Sequence, residues 1–376
     1  METALRAALE LRRAGDLSRM KTFAREGIEA CETAARRYPD LAEPHALQGR
    51  MHRALMDYTR ALEEQELALA LDPRSSRALY ERLVLTARLL RRREDEIVER
   101  AWRGLGEKLI QERTGKVRPE EIALPSREKL ARGDAAAEQL HRRLEEDLEA
   151  LEATDQAGAA ELACARGLVK RSRTTLQAAL TKNPFLEEAV EALALLELDA
   201  GRHEKAVAVW SDGLQHDKGC LSHLEGRGDA RLHWGHQKHL RGEDPSETLI
   251  AAVGDFTKAL EMDPRRDGAM RQRGLAHFML GFSIGWARRD DATRQFQSAV
   301  EDLSRALELN PKSAPTWMWR GVVRTSLAVS KILVLQDPSS ITREAIADLS
   351  KAIEINPQGD EPYFWRAYAR IPLAVN

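Results

Sequence analysis

The sequence predicts an all-α chain made of repeated helical hairpins, and three observations carry that prediction. The first is a recurring helix ending. Residues 304–311 read SRALELNP, with close copies TKALEMDP at 257–264 and SKAIEINP at 350–357, and looser ones at 66–73 and 177–184. Each copy is apolar at helical spacing and stops at Asn-Pro or Asp-Pro. Proline cannot extend a helix and disfavours helix in the residue before it. The second observation is the period. Pro39 to Pro73 is 34 residues, and so is Pro184 to Lys218; a fixed spacing in this range marks stacked supersecondary units. The third is composition. Of 376 residues, 43% are hydrophobic, 31% charged and only 5% aromatic, with Ala, Leu, Glu and Arg dominant and β-branched runs scarce.

Composition also excludes several classes of function. The formal net charge is −2, so no global field recruits nucleic acid or an anionic membrane. Cys31, Cys164 and Cys220 are far apart and odd in number. They form neither a disulfide framework nor a CxxC metal pattern, which fits a reducing, cytoplasmic setting. The opening METALRAALELRRAGD is amphipathic and charged, unlike a signal peptide. No apolar run approaches the ~20 residues needed to cross a bilayer.

Taken in order, residues 1–73 read as two hairpins, the first with a long second helix at 17–37. Residues 74–153 diverge. A helical pair is expected at 76–92 and 94–112, then a polar connector near 113–125 with Pro119 and Pro125. A helix follows from about Asp134, with Leu140, Leu144, Leu148 and Leu151 on one stripe. That stripe is a surface through which two chains could pair as a homodimer. Residues 154–218 return to regular hairpins. There Gly201-Arg-His separates EEAVEALALLELDA from HEKAVAVWSDGLQHD, and Ala206 and Gly213 mark close helix approaches.

Residues 221–357 hold three longer units. Lys218, Pro264, Pro311 and Pro357 are spaced by 46, 47 and 46 residues. The extra residues fall inside each hairpin. Asp244, Asp290 and Asp337 each stand 16 residues after the glycines Gly228, Gly274 and Gly321. Asp244 and Asp337 precede proline, an N-cap followed by proline at the first helical position. The first helix of each unit is thus about three turns longer, at ~5 Å per turn. Gly235, Gly281 and Ala328 recur seven residues after the glycines and let the lengthened helix pass through a tight crossing. Residues 361–376, opening EPYFWRAYARI, supply a capping helix and tail, as stacked arrays require.

The pattern resembles the tetratricopeptide repeat. Gly49, Ala61, Ala68 and Pro73 match it, as do Gly228, Ala252, Ala259 and Pro264, then Gly274, Ala299, Ala306 and Pro311, then Gly321, Ala345, Ala352 and Pro357. The resemblance covers most of the chain and implies a right-handed superhelical solenoid with extended C-terminal repeats. It further implies that first helices line a concave face on which extended peptides lie. Carried over by repeat position, that face contains Arg50, Arg53, Glu225, Asp229, Leu232, Arg271, Leu275, Phe278, Met318, Val322, Phe364 and Tyr368. Repeats that clamp acidic chaperone tails carry Asn and Lys at set first-helix positions. This chain has Arg50, Leu195, Asp229, Leu275 and Val322 where the Asn is expected, which argues against that subtype. The RG…DP…AxxDLxxAL rhythm is similar to arrays attached to bacterial serine/threonine kinases, although the kinase signatures themselves are absent.

Two sets of charges recur in step. Arg227, Arg273, Arg320 and Arg366 each precede the small residue of their repeat, and Asp255, Asp302 and Asp348 recur in the second helices. Partly buried charges persist when paired, so each Arg is expected to hold an Asp, with one arginine left over. The HWGHQKH stretch places His233, His236 and His239 near Asp229, but three histidines at steps of three fan across a helix rather than converging as a metal site requires. No metal or cofactor is expected. There is no Gly-rich phosphate loop, no HExxH and no GxSxG, so no enzyme is expected either. The reading is a non-catalytic scaffold for a protein or peptide partner, either the interaction half of a kinase system or a free-standing adaptor. An RNA-binding solenoid and a peptide-sensing regulatory module are the alternatives.

Overall fold

The structure is a computed structural model that describes residues 1–111, 126–154, 156–284, 289–333 and 335–371. Eighteen α-helices and no strand occur among the described residues. The expected connector near 113–125 lies outside them. Contacts divide the chain into two units, Met1–Leu196 with Gln215–Gly219, and Glu197–Leu214 with Cys220–Asn376.

The first unit opens with the hairpins α1 (Glu2–Arg13) and α2 (Leu17–Arg37), then α3 (Ala42–Ala54) and α4 (Tyr58–Leu71). Turn chemistry fixes each reversal. Gly15 takes φ +84° before α2, and the Asp16 carboxylate caps α2 by accepting from the Arg19 N–H. Asp57 caps α4 in the same way, through Arg60 N–H. The core here is Leu5, Cys31, Leu47 and Met51.

The expected helical pair at 76–92 and 94–112 is one continuous helix, α5 (Ser76–Gln111). No Gly or Pro interrupts RLLRRREDEIVER, and Arg91–Asp95 and Arg92–Glu96 pair across one turn where a break was expected. The short α6 (Arg127–Ala131) leads into α7 (Ala135–Glu152), capped by Asp134 as expected. Leu144, Leu148 and Leu151 are buried, with α7 packed along α5. These three leucines of the stripe are therefore packed inside the chain, and Leu140 is half-buried. Next come α8 (Ala159–Val169), α9 (Arg173–Lys182) and α10 (Glu187–Asp199), the last running across the division between the units.

The second unit contains most of α11 (His203–His216) and the three long hairpins: α12 (Leu221–Leu240) with α13 (Ser246–Met262), α14 (Asp267–Ile284) with α15 (Arg289–Leu309), and α16 (Ala314–Leu333) with α17 (Ser339–Ile355). The last helix is α18 (Glu361–Tyr368). The lengthened first helices are present at the predicted places. Asp244 accepts from Ser246 N–H at 2.9 Å and Asp337 from Ser339 N–H at 2.8 Å, closing the turns that lead into the second helices; the N-cap positions fall one residue later than expected, on Pro245 and Pro338. α15 opens at Arg289, and the side chain of Asp290 lies outside those described. Absence of a side chain is required where hairpin partners cross. A Cβ on Gly321 would stand 3.1 Å from the Ala345 carbonyl oxygen and 2.6 Å from Leu349 Cγ. Two core clusters fill the stack, one around Leu249, Phe256 and Ala276 and one around Phe296, Leu303, Val322 and Leu349.

Candidate functional site

A cavity of about 930 Å³ opens within the first unit. Five parts of the chain build it: the α3–α4 turn with α4, the middle of α5, α7, the α8–α9 turn, and α10. One wall is apolar, with Leu62, Val84, Leu85, Leu144, Leu168 and Leu195. The other is charged. Arg88 donates to Glu187 at 3.2 Å and to Glu191, and its guanidinium lies 4.8 Å over the Tyr58 ring. Burial pushes the Glu191 carboxyl up, opposed by Arg88, and raises the Tyr58 hydroxyl as well.

Behind this wall is a buried polar layer. Arg53 Nε is 3.2 Å from Glu81 Oε2 and its NH1 is 3.6 Å from Glu188 Oε2, while Arg50 Nε is 3.3 Å from Glu81 Oε1. The Tyr80 hydroxyl donates to Glu188. Burial raises the pKa of Cys164, which also bonds Tyr80 and is fully enclosed; a thiol held protonated is a poor nucleophile. The expected residues Arg50 and Arg53 are thus brought together, held by glutamates just behind the cavity.

Two turns bordering the cavity are strained. Met56 has φ +63° and Arg171 has φ +47°, conformations that L side chains rarely adopt. Arg171 is held there by its pair with the buried Glu94.

The expected face in the second unit is only partly a surface. Leu232, Phe278, Met318 and Val322 are buried in the core clusters and lie off any open face. Leu232 packs with Leu249 and Phe256, and Phe278, Met318 and Val322 pack with Phe296, Leu303 and Leu349. Leu275 is half-buried at the edge of the same packing. Glu225 accepts two bonds from Arg266, at 2.8 and 2.6 Å. Asp229 accepts from Gln272 Nε2 at 2.8 Å. Burial pushes the Asp229 carboxyl up to about 7, reinforced by Glu225 and opposed by Gln272 and Arg271. Phe364 and Tyr368 stand out from α18, 63% and 43% exposed.

The recurring charges pair within each hairpin. Arg227 clasps Asp255 at 3.0 and 2.6 Å, Arg273 clasps Asp302 at 2.8 and 2.6 Å, and Arg320 clasps Asp348 at 2.9 and 2.7 Å. Asp229 and the histidines of HWGHQKH do not converge, and no group of three His, Cys, Asp or Glu among the described residues could hold a metal ion.

The cavity residues Tyr58, Arg88, Glu188 and Glu191 were not singled out from the sequence. A signal was present: the Ala- and Leu-rich helix EEAVEALALLELDA carries glutamates one turn apart on an otherwise apolar face.

This architecture defines the class: a tetratricopeptide-like chain of antiparallel helical hairpins with three extended units. No family model matches the chain, and no curated protein matches it. Among solved structures it is similar to TTC0263, a thermophilic tetratricopeptide protein of Thermus thermophilus. That match has 23% identity and a TM-score of 0.37, covering 62% of this chain and 98% of that one. It is similar also to the C-terminal part of a tetratricopeptide repeat-containing protein from Cytophaga hutchinsonii, with 11% identity and a TM-score of 0.37, covering 96% and 98%. A human IFIT1 dimer with m7Gppp-AAAA matches at 13% identity and a TM-score of 0.41, covering 93% and 80%. These likenesses concern the helical architecture, and no function is taken from them. No helix among the described residues is long and apolar enough to cross a membrane.

Proposed function

We propose that the chain is a non-catalytic scaffold that binds an extended peptide segment of a partner protein in the cavity of its first unit. The observation that carries this reading is the cavity itself, about 930 Å³, with leucines on one side and the Tyr58–Arg88–Glu191 wall on the other. Apolar anchors with a few placed polar groups suit a peptide. The arginines at the site already hold carboxylates, which leaves little unpaired positive charge for a phosphate backbone and favours peptide over RNA. Cys31, Cys164 and Cys220 are all buried and far apart in sequence, in keeping with a cytoplasmic protein. The Arg-Gly, Asp-Pro and Ala-x-x-Asp-Leu rhythm of 221–357 supports a narrower version, an interaction module serving a bacterial serine/threonine kinase.

Ala192→Trp tests the reading, because a half-buried wall residue becomes bulky while every ion pair is kept. Captured peptides identified by mass spectrometry, and any kinase among the captured proteins, should be retained by the native chain and lost by the variant. Capture that survives the filled cavity would refute the site, and capture of RNA alone would refute the class of ligand.

A further inference from the structure

The first helices α12, α14, α16 and α18 share one register: Arg227-Gly228, Arg273-Gly274, Arg320-Gly321 and Arg366-Ala367. In the first three, the arginine clasps the aspartate of the helix that follows. In α12 and α16 a second arginine one turn on, Arg231 or Arg324, reaches the same carboxylate. The aspartates stand in one pattern, Ala-x-x-Asp-(Phe/Leu)-x-x-Ala: Ala252, Asp255, Phe256 and Ala259, with equivalents around Asp302 and Asp348. The glycine of the arginine helix receives the large apolar residue of that pattern, Gly228 against Phe256 and Gly321 against Leu349.

α18 reproduces the arginine half of this arrangement. Arg366 NH1 reaches back to Ser350 Oγ at 3.4 Å, as Arg320 reaches Ser304 at 3.1 Å and Arg273 reaches Thr257 at 3.2 Å. Arg370 follows Arg366 by four residues, the spacing of Arg231 and Arg324 from their arginines, and lies in the turn just past α18. No described residue supplies the aspartate half: no ion pair to Arg366 or Arg370 occurs among the described residues, and Arg366 lies over the Tyr363 ring instead. Ala367 is exposed where Gly228, Gly274 and Gly321 are buried, and Phe364, Tyr368 and Ile371 beside it are 63%, 43% and 55% exposed.

We propose that the open face of α18 is a docking site for a helix of a partner protein that carries Ala-x-x-Asp-(Leu/Phe)-x-x-Ala. Its aspartate is held by Arg366 and Arg370, and its Leu or Phe seats on Ala367, as Phe256 and Leu349 seat on Gly228 and Gly321. The occupant is set by charge complementarity and by three worked examples inside this chain. Two guanidiniums one turn apart favour a single carboxylate. An apolar helix lacking that acid would desolvate both cations without a counter-charge. This site does not depend on the cavity of the first unit.

The probe is a labelled peptide with the sequence of residues 338–357, titrated onto the full chain by fluorescence anisotropy. Micromolar binding is expected, weakened about tenfold or more by Asp348→Asn in the peptide or by Arg366→Gln with Arg370→Gln in the chain. Circular dichroism checks that the variant chain stays folded. A free peptide must also form its helix, so the same segment is fused after Asn376, where tethering raises its effective concentration to the millimolar range. The fusion should melt at a higher temperature than the parent, and its Asp→Asn counterpart should not. Absence of binding in both formats, or binding indifferent to these charges, overturns the proposal. Self-association of the unmodified chain that Arg366→Gln abolishes would overturn it too, since a second copy would then own the face.

Discussion

Single side chains in this protein do two different jobs with the same charge. Asp302 is nearly enclosed and its two oxygens are taken by one guanidinium. Removing it leaves Arg273 partly buried without a counter-ion. Asp302→Ala should therefore lower unfolding free energy by about 3 kcal/mol in urea titration, well beyond the effect of changing an exposed ion pair such as Lys351–Glu354. An unchanged midpoint would show that the clasp is dispensable. Strain separates a second pair of residues. Met56 and Arg171 both hold left-handed backbone at hairpin turns. Met56→Gly relieves that strain and should stabilise by about 1 kcal/mol. Arg171→Gly relieves it too, but strands the buried Glu94, so it should destabilise. Opposite signs in paired thermal melts are the check.

Helices carry the next level of the argument. α5 runs through the point where a hairpin turn was expected because its sequence holds no breaker and its charges pair along the axis. Periodicity alone does not distinguish one long helix from two, since the turn residue is what ends a helix. The facing helices α12 and α14 make a pH-sensitive contact. Asp229, set against Glu225, Gln272 and Arg271, has its carboxyl raised to about 7 from an ordinary value near 4. The folded state then binds a proton that the unfolded state releases, so between these values stability falls as pH rises. The thermal midpoint should rise as pH is lowered from about 8 to about 5.5, and Asp229→Asn should flatten that slope by this residue's share. A slope unchanged by the substitution would remove Asp229 as its source.

Across the whole molecule, contacts stay largely between hairpins close in sequence, as expected of a stack. Each unit has its own buried interior. A fragment of residues 184–376, which keeps α10 whole, should retain helical circular dichroism and melt cooperatively without the first unit. A fragment that is unfolded would mean the second unit's interior is insufficient by itself.

What the sequence determined is the repeating part of this protein. Proline after most second helices, glycine at the crossings and one Arg–Asp pair in each of the three long hairpins are local in register, so hairpin type, the long first helices and the ion pairs could be read from spacing. The tertiary structure decided where surface ends and interior begins. Leu232, Phe278, Met318 and Val322 were expected on the ligand-facing side but are packed into the core clusters here. The cavity of the first unit, too, arises only in three dimensions. Its walls come from α4, α5, α7 and α10, helices up to more than a hundred residues apart whose meeting no period encodes. Spacing records which neighbours along the chain must fit together, whereas a binding surface depends on which side chains remain uncovered once distant segments have packed.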